Sequence, residues 1–320
     1  MILYLSNILD NESSKMKENN FNIRNEYKNC RLCPRMCGVN RYEKTGFCGM
    51  GAEITAAKAF LHQWEEPCIS VKNGAGTVFF SGCNLRCCFC QNNIISNENF
   101  GKIISHERLA DIFLELQEKG ADNIELVTPT HFIPDIVKAL DLVKNKINIP
   151  VIYNSGSYEL CETIDMLNGY IDIYLPDLKY FSSEISAKYS SAENYFEYAS
   201  KAIVRMTKQV GNLKFDEKGK LLKGTVIRHL VLPSCRHDSM NVISWISENI
   251  PPEKYLMSIM GQYTPFDFIP EKFHELKRNL TKMEYNSVVR HAENLGINGY
   301  TQEKSSADKK YTPEFDLFGI

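Results

Sequence analysis

The sequence predicts an α/β fold in which helices cover a parallel sheet. From residue 76 onward, apolar runs of strand length alternate with stretches of helical periodicity, and short connections join them. A cluster of cysteines directly follows the first of these runs. Catalytic loops leave the sheet of barrel folds at the same place, after the carboxyl end of a strand. The sheet is therefore expected to carry a functional site at that edge.

Six apolar runs are predicted to form the strands of this sheet, because each is short and rich in aliphatic or aromatic residues. They cover residues 76–81, 123–127, 150–154, 172–175, 225–232 and 255–260. A further short strand could close the sheet over residues 295–300. Residues 212–224 are predicted to form a hairpin that turns at residues 216–219.

Helices are predicted between the strands. In residues 105–119, apolar side chains recur at the spacing of one helix face. The other predicted helices cover residues 134–144, 159–167, 183–209 (as two helices), 240–248 and 281–295. The last begins with a capping box, because Glu284 follows Thr281 by three residues.

Composition and charge exclude several classes of protein. Hydrophobic residues make up 43 % of the chain and charged residues 24 %, as in ordinary globular proteins. A net charge of −2 predicts no general attraction to nucleic acid or to an acidic membrane. The apolar opening at residues 1–5 is too short for a signal peptide or a membrane span. We therefore expect a cytoplasmic protein in which clustered cysteines bind metal rather than form disulfides.

The most informative segment is residues 81–92, where Cys83, Cys87 and Cys90 stand at the spacing C-x3-C-x2-C. Three thiolates in so short a loop can hold one face of an iron–sulfur cluster, because soft sulfur ligands suit iron. A cluster with four irons and three protein ligands leaves one iron open to a small molecule. A zinc knuckle or a chance group of buried cysteines is the alternative, and the preceding buried strand argues against it. Cys88 has no place in this pattern.

This segment resembles the radical SAM motif, C-x3-C-x-aromatic-C, with Phe89 at the aromatic position. The resemblance implies a 4Fe–4S cluster on Cys83, Cys87 and Cys90 whose open iron binds S-adenosylmethionine (SAM). One electron from the cluster would cleave SAM to methionine and a 5′-deoxyadenosyl radical, which abstracts a hydrogen atom. The resemblance also implies an external electron donor of the flavodoxin or ferredoxin type.

The βα repeats alone allow two folds. Six units are too few for an eight-stranded barrel, and they are equally compatible with a doubly wound sheet. The radical SAM resemblance implies a (βα)6 partial barrel whose gap admits a large substrate. We therefore expect a polar N-terminal arm (residues 1–29), a Cys-rich metal-binding segment (30–75), the partial barrel (76–302) and a C-terminal tail (303–320).

A second cysteine set precedes the predicted barrel. Cys30, Cys33, Cys37 and Cys48 stand at C-x2-C-x3-C-x10-C, and nearby glycines allow the tight turns that ligand loops need. Four thiolates suit structural zinc or an iron–sulfur cluster, and the remaining alternative is that these cysteines bind nothing. We expect a centre separate from the SAM cluster, and we favour zinc or an empty site over a second cluster.

Polar residues that follow the predicted strands are candidates for binding the cofactor, because the carboxyl ends of parallel strands line one pocket. They are Thr128, Thr130, His131, Asn154, Ser155, Asp177, Lys179, Arg228, His229 and Gln262. Many radical SAM enzymes carry Gly-Gly-Glu after the second strand, where Thr128 and Thr130 here offer carbonyls and hydroxyls instead. Asp177 and Lys179 are expected to bind the ribose hydroxyls and the carboxylate of SAM. Each residue taken alone is more often an ordinary polar residue of core or surface.

Further segments resemble one branch of the superfamily, the pyruvate formate-lyase-activating-enzyme-like proteins, from about residue 30 to residue 302. They are residues 30–37, 46–49, 127–132, 174–180, 228–233 and 260–265. The resemblance implies an enzyme that abstracts hydrogen from a protein, a peptide or a small molecule. A glycyl-radical activase acting on a large partner protein is the alternative among enzymes, although activases often carry their extra cysteines after the main motif. Outside enzymes, an iron–sulfur electron carrier or a structural metalloprotein would use both cysteine sets.

Overall fold

The computed structural model describes residues 23–301 and 313–320. Most of the predicted N-terminal arm and the first part of the predicted tail lie outside the described residues. Within the described residues, no helix is both long and apolar enough to span a membrane.

Ten strands are present in the described residues, and all belong to one connected sheet. They are β1 (Thr55–His62), β2 (Ala75–Phe80), β3 (Lys102–Ile103), β4 (Ile124–Val127), β5 (Val151–Ser155), β6 (Ile173–Pro176), β7 (Lys214–Phe215), β8 (Leu221–Leu230), β9 (Tyr255–Met260) and β10 (Gly299–Thr301). Nine of them follow the order β10-β9-β8-β6-β5-β4-β2-β1-β3, and β7 pairs with β8 in the antiparallel hairpin that the sequence predicts.

The centre of the sheet is parallel from β2 to β10. Its strands follow one another in chain order, so right-handed crossovers place the connecting helices on a single face. A doubly wound sheet would instead reverse its order at a switch point. The predicted α/β class and parallel sheet are therefore confirmed, and the strand order is the one expected of a partial barrel.

Nine α-helices are found in the described part of the chain. They are α1 (Ile23–Lys28), α2 (Asn93–Ser96), α3 (His106–Glu118), α4 (Ile133–Val143), α5 (Cys161–Asp165), α6 (Ser183–Ser190), α7 (Tyr195–Val210), α8 (Arg236–Asn249) and α9 (Lys282–Asn294). The capping box of α9 is confirmed, because the Thr281 hydroxyl accepts from the Glu284 amide and the Glu284 carboxylate accepts from the Thr281 amide.

Successive residues of the central strands face opposite sides of the sheet. Tyr153 and Ile227 pack in the two large apolar cores, which contain the helices. Their neighbours Ile152 and Val226 pack in a smaller apolar cluster with strand and loop residues, on the side that the helices leave free. This cluster fills one end of the inner face, and polar residues follow it toward the carboxyl ends of the strands.

The sheet begins earlier in the chain than predicted. Strand β1 lies within the predicted Cys-rich segment, yet it pairs antiparallel with β2 and so extends the sheet. Residues 313–320 lie along β1, where the Ala59 amide donates to the Phe318 carbonyl and the Leu317 amide donates to the Ala57 carbonyl. Part of the predicted N-terminal segment is thus built into the same sheet as the predicted barrel.

Candidate active site at the carboxyl edge of the sheet

The cysteine loop leaves β2 through a turn that glycine permits. Gly82 has φ +82°, in the left-handed region that side chains disfavour. A Cβ atom at this position would also lie 2.5 Å from Met50 Cγ and 2.7 Å from the Cys48 carbonyl oxygen. Glycine therefore allows the loop to turn sharply and to pack directly against the Cys-rich segment.

Cys83, Cys87 and Cys90 all line one cavity. The Leu85 amide lies 3.4 Å from Cys83 Sγ and the Ser190 hydroxyl lies 3.0 Å from Cys87 Sγ, so both sulfurs accept hydrogen bonds. Burial, together with the nearby Cys87 and Cys90 thiols, raises the pKa of the Cys83 thiol to about 12. Three thiolates this close would repel one another, so the arrangement suits sulfurs that share a positively charged metal centre.

The interleaved Cys88 has different surroundings. Its amide donates to the Tyr189 carbonyl at 2.8 Å, and its side chain packs at the edge of an apolar core. It is not among the residues that line the cavity. The structure thus separates Cys88 from its three neighbours, as the spacing of the motif predicts.

The same cavity collects eight of the ten polar residues predicted at the strand ends. They are Thr128, Thr130, Asn154, Ser155, Asp177, Lys179, Arg228 and Gln262. The cavity measures about 1400 Å³ when the space at its open mouth is included. The strand-end residues and the three cysteines therefore line one shared space that is open to solvent.

Arg228 organises the polar end of this cavity. Its Nε lies 2.8 Å from Asp177 Oδ1 and its Nη2 lies 2.6 Å from Asn154 Oδ1. Lys179 Nζ lies 2.6 Å from the other oxygen of Asp177. Burial alone would raise the pKa of Asp177, but the charges of Arg228 and Lys179 hold that pKa below its usual range. Asp177 is therefore an ionised carboxylate fixed between two cations.

A second layer of acidic residues surrounds Arg228. Glu125 is fully buried on β4 and accepts hydrogen bonds from Asn154 Nδ2 at 2.6 Å and from Thr77 Oγ1 at 2.8 Å. Glu65, which lies shortly after β1, approaches Arg228 Nη1 at 3.4 Å. Burial is the main cause that raises the pKa of both Glu65 and Glu125. Arg228 is thus the cation whose charge lowers the pKa values of Asp177, Glu65 and Glu125.

A family model and a known protein sequence both match the chain. Residues 77–224 match the family model described as the radical SAM superfamily. The chain belongs to this superfamily. An uncharacterized protein of Methanocaldococcus jannaschii is 30 % identical over 286 residues, which cover 86 % of this chain and 77 % of that protein. The radical SAM match begins in β2 and contains the loop of Cys83, Cys87 and Cys90.

Two solved structures are similar over part of this radical SAM protein. A domain of pyruvate-formate lyase-activating enzyme from Bacteroides vulgatus is 11 % identical, with a TM-score of 0.40, and the match covers 54 % of this chain and 92 % of that one. SuiB of Streptococcus suis, in a structure bound to S-adenosylmethionine, is 13 % identical, with a TM-score of 0.48. That match covers 69 % of this chain and 48 % of SuiB, so the chain spans about half the length of SuiB.

Two predicted site residues do not line the cavity of this radical SAM protein. His131 is buried beside Phe132, and its Nε2 lies 2.7 Å from the Ser81 carbonyl oxygen. His229 follows Arg228 on β8, so its side chain points to the other face, where Nδ1 lies 2.6 Å from the Leu178 carbonyl oxygen. Burial lowers the pKa of His131 to about 3 and that of His229 to about 4. Both are neutral core histidines that hold neighbouring loops in place.

Sequence reasoning missed three acidic or basic residues of this site. His62 and Glu65 line the cavity, but they belong to the end of β1 and the loop after it, which were not predicted to reach the sheet. Glu125 could have been identified from the sequence, because it is a charged residue within an otherwise apolar strand. Such a residue in a buried strand needs polar partners and therefore points to a polar site.

The N-terminal cysteines lie beside the radical SAM loop rather than within the cavity. The Cys83 amide donates to the Cys48 carbonyl at 3.2 Å, so the two cysteine sets are in direct contact through the backbone. Arg35 reinforces the contact, since its Nε donates to the Asn84 carbonyl at 2.8 Å and its guanidinium lies 3.8 Å from the centre of the Phe47 ring. The predicted separate centre would therefore be an immediate neighbour of the cavity.

Proposed function

We propose that this protein is a radical SAM enzyme that cleaves SAM reductively at a 4Fe–4S cluster held by Cys83, Cys87 and Cys90. When bound, such a cluster supplies the electron that produces a 5′-deoxyadenosyl radical, which abstracts a hydrogen atom from a protein, peptide or small-molecule substrate. One observation carries this proposal: three cysteines at the radical SAM spacing line the same cavity as a fixed network of polar residues. An external one-electron donor of the flavodoxin or ferredoxin type would complete the system.

Lys179 and Asp177 are suited to bind the charged and hydroxyl groups of SAM. Burial alone would lower the pKa of Lys179, but the Asp177 carboxylate raises it, so Lys179 keeps its charge at the cavity wall. An ammonium group has three donors, and only one of them is needed for Asp177. The others can bind the carboxylate of SAM, while Asp177 can accept from a ribose hydroxyl.

Thr128 is suited to replace the glycine-rich motif that follows the second strand in many relatives. Its φ of +57° places it in the left-handed region, which costs a residue other than glycine about 1–2 kcal/mol. Its amide donates to the Asn154 carbonyl at 2.9 Å, which holds it next to the polar network. Backbone strain of this kind is concentrated at binding sites. The turn would present the backbone of Thr128 to the SAM amino group.

Formation of 5′-deoxyadenosine tests the proposed function. The protein would be reconstituted with iron and sulfide without oxygen, reduced with dithionite, and incubated with SAM. We expect 5′-deoxyadenosine to accumulate in a reaction that requires both the reductant and the reconstituted protein, measured by liquid chromatography and mass spectrometry. An electron carrier or a structural metalloprotein would give none, and that result would exclude the proposed enzyme.

Asp177→Ala is expected to keep its iron but to bind SAM roughly 10- to 100-fold more weakly. The variant loses an acceptor for SAM and releases Lys179, and a hydrogen bond to a charged group contributes about 1.5–3 kcal/mol. Affinity would be measured by titrating the reduced protein with SAM and following the electron paramagnetic resonance (EPR) spectrum. Asp111→Ala, on the exposed face of α3, is the matched control. Parent-like affinity in Asp177→Ala would remove this residue from the SAM site.

A further inference from the structure

The loop that carries Cys30, Cys33, Cys37 and Cys48 is folded back on itself. The Gly38 amide donates to the Cys30 carbonyl at 2.9 Å and the Cys30 amide donates to the Val39 carbonyl at 3.0 Å. These bonds bring the two ends of the first cysteine run together. A turn closed between the Gly49 amide and the Gly46 carbonyl then returns Cys48 to the same place.

The four sulfurs form one group. Cys33 interacts electrostatically with Cys30 and Cys48, and Cys48 interacts with Cys30 and Cys37. A Cβ atom on Gly46 would lie 3.5 Å from Cys48 Sγ and 3.9 Å from Cys37 Sγ, so a glycine occupies the position between two sulfurs. All four cysteines are free of disulfides. The loop therefore gathers four thiols around one space without joining them in pairs.

The four thiols, all within the described residues, are not grouped as the ligands of one zinc ion would be. In a zinc site each sulfur lies about 2.3 Å from one metal, so the sulfurs are held within about 4 Å of one another. Among the residues that the structure describes, no three His, Cys, Asp or Glu side chains are arranged to hold a single metal ion. In a cubane each cysteine binds a different iron, so the sulfurs stand further apart. Cys83, Cys87 and Cys90, in the part of the chain that the structure describes, are likewise not grouped as ligands of a single ion.

The surroundings of these thiols suit an anionic cluster. The Phe47 amide donates to Cys37 Sγ at 3.4 Å, and the amides of Arg35 and Met50 are directed at Cys33 and Cys48. Hydrogen bonds to sulfur are one of the means by which proteins stabilise iron–sulfur clusters. Arg41, only 2 % exposed, adds a positive charge near Cys48. A buried cation needs a negative partner, and a cluster bound by four thiolates would supply one.

We propose that Cys30, Cys33, Cys37 and Cys48 hold a second 4Fe–4S cluster, with a protein ligand on every iron, and that this cluster lies beside the radical SAM cluster. The preference for zinc or an empty site that the sequence alone suggests is thereby reversed. The position follows from the bond between the Cys83 amide and the Cys48 carbonyl and from the close contact of Gly82 with Met50. The claim that the second cluster lies beside a radical SAM cluster rests on the proposed function. The proposal of the second cluster itself depends only on Cys30, Cys33, Cys37 and Cys48.

The variant in which Cys83, Cys87 and Cys90 are replaced by Ala isolates the second site. After anaerobic reconstitution we expect about four irons and about four sulfides per chain, with little zinc. Reduction should give an EPR signal that SAM leaves unchanged, because every iron already has a protein ligand. Zinc near one equivalent without iron would overturn the proposal, and so would a folded variant that binds neither metal.

The parent protein provides a second measurement that does not depend on the folding of a variant. It should hold about eight irons, and only part of its reduced EPR signal should change with SAM. Cys33→Ser/Cys37→Ser should lower the iron content to about four and retain the SAM-sensitive part, whereas Cys68→Ser/Cys161→Ser should retain about eight. A parent with about four irons and a fully SAM-sensitive signal would refute the second cluster. If the iron of the triple-Ala variant persists while no protein makes 5′-deoxyadenosine, the proposed function fails and the second cluster stands.

Discussion

Replacing Cys83, Cys87 and Cys90 with Ala is expected to lower the formation of 5′-deoxyadenosine from SAM by at least about 1,000-fold, which corresponds to about 4 kcal/mol in the activation barrier. The physical reason is that the three sulfurs line the cavity in which SAM is expected to bind. Without them the proposed cluster would be lost, and the electron for SAM cleavage would have no source inside the cavity. The measurement is the rate of 5′-deoxyadenosine formation under dithionite, normalised to folded protein.

Cys88→Ala is the matched control for this prediction. The substitution removes a thiol from the same loop, but that thiol packs at the edge of an apolar core instead of lining the cavity. The hydrogen bond from residue 88 to the Tyr189 carbonyl is made by the backbone and would survive. We therefore expect Cys88→Ala to keep the parent rate. If both variants lost the same fraction of 5′-deoxyadenosine formation, the loop would be sensitive to any substitution. If the triple variant formed 5′-deoxyadenosine at the rate of the parent, the assignment of the cluster to these cysteines would be wrong.

The polar wall of the cavity was predictable because strand periodicity and strand ends are both visible in the sequence. The inner face of the sheet carries an apolar residue two positions before each of Asn154, Asp177 and Arg228. Because side chains alternate between the two faces of a strand, these three polar side chains lie on the same inner face. His229 was assigned to the site because it also lies near a strand end. One position along a strand turns a side chain to the opposite face, and this is why the structure places His229 against Leu178 instead.

The contribution of the N-terminal segment was not predictable from local sequence. Strand β1 contains three alanines and a lysine, which are weak strand formers, so nothing local marks it as part of the sheet. Glu65 and His62 reach the cavity only because β1 pairs with β2. Likewise, the contact between the two cysteine sets depends on the fit of Gly82 against Met50, which are far apart in the chain. Long-range packing of this kind leaves no periodic signal.

Arg228→Met is expected to lower the free energy of unfolding by about 3–5 kcal/mol and to abolish measurable SAM binding. The guanidinium contacts Asp177, Asn154 and Glu65. Its removal leaves Asp177 with Lys179 alone and leaves Glu65 without the arginine cation. Breaking a buried ion pair by deleting one partner typically costs this amount, because the remaining charge stays desolvated. Unfolding would be followed anaerobically by circular dichroism in denaturant. Arg290→Met, exposed on α9, should change stability by no more than about 0.5 kcal/mol.

The pH dependence of the Arg228→Met deficit distinguishes this electrostatic cause from simple loss of packing. In the parent, burial alone would raise the pKa of Asp177, but the charge of Arg228 holds that pKa down. Burial does raise the pKa values of Glu65 and Glu125, and the charge of Arg228 makes that rise smaller. Without Arg228 all three pKa values move upward. These carboxyl groups then take up protons as the pH falls, and a neutral carboxyl group costs less to bury. The difference in stability between parent and variant should therefore be larger at pH 8 than at pH 6. A deficit that stays constant across this range would mean that Arg228 stabilises the cavity through its packing and not through its charge.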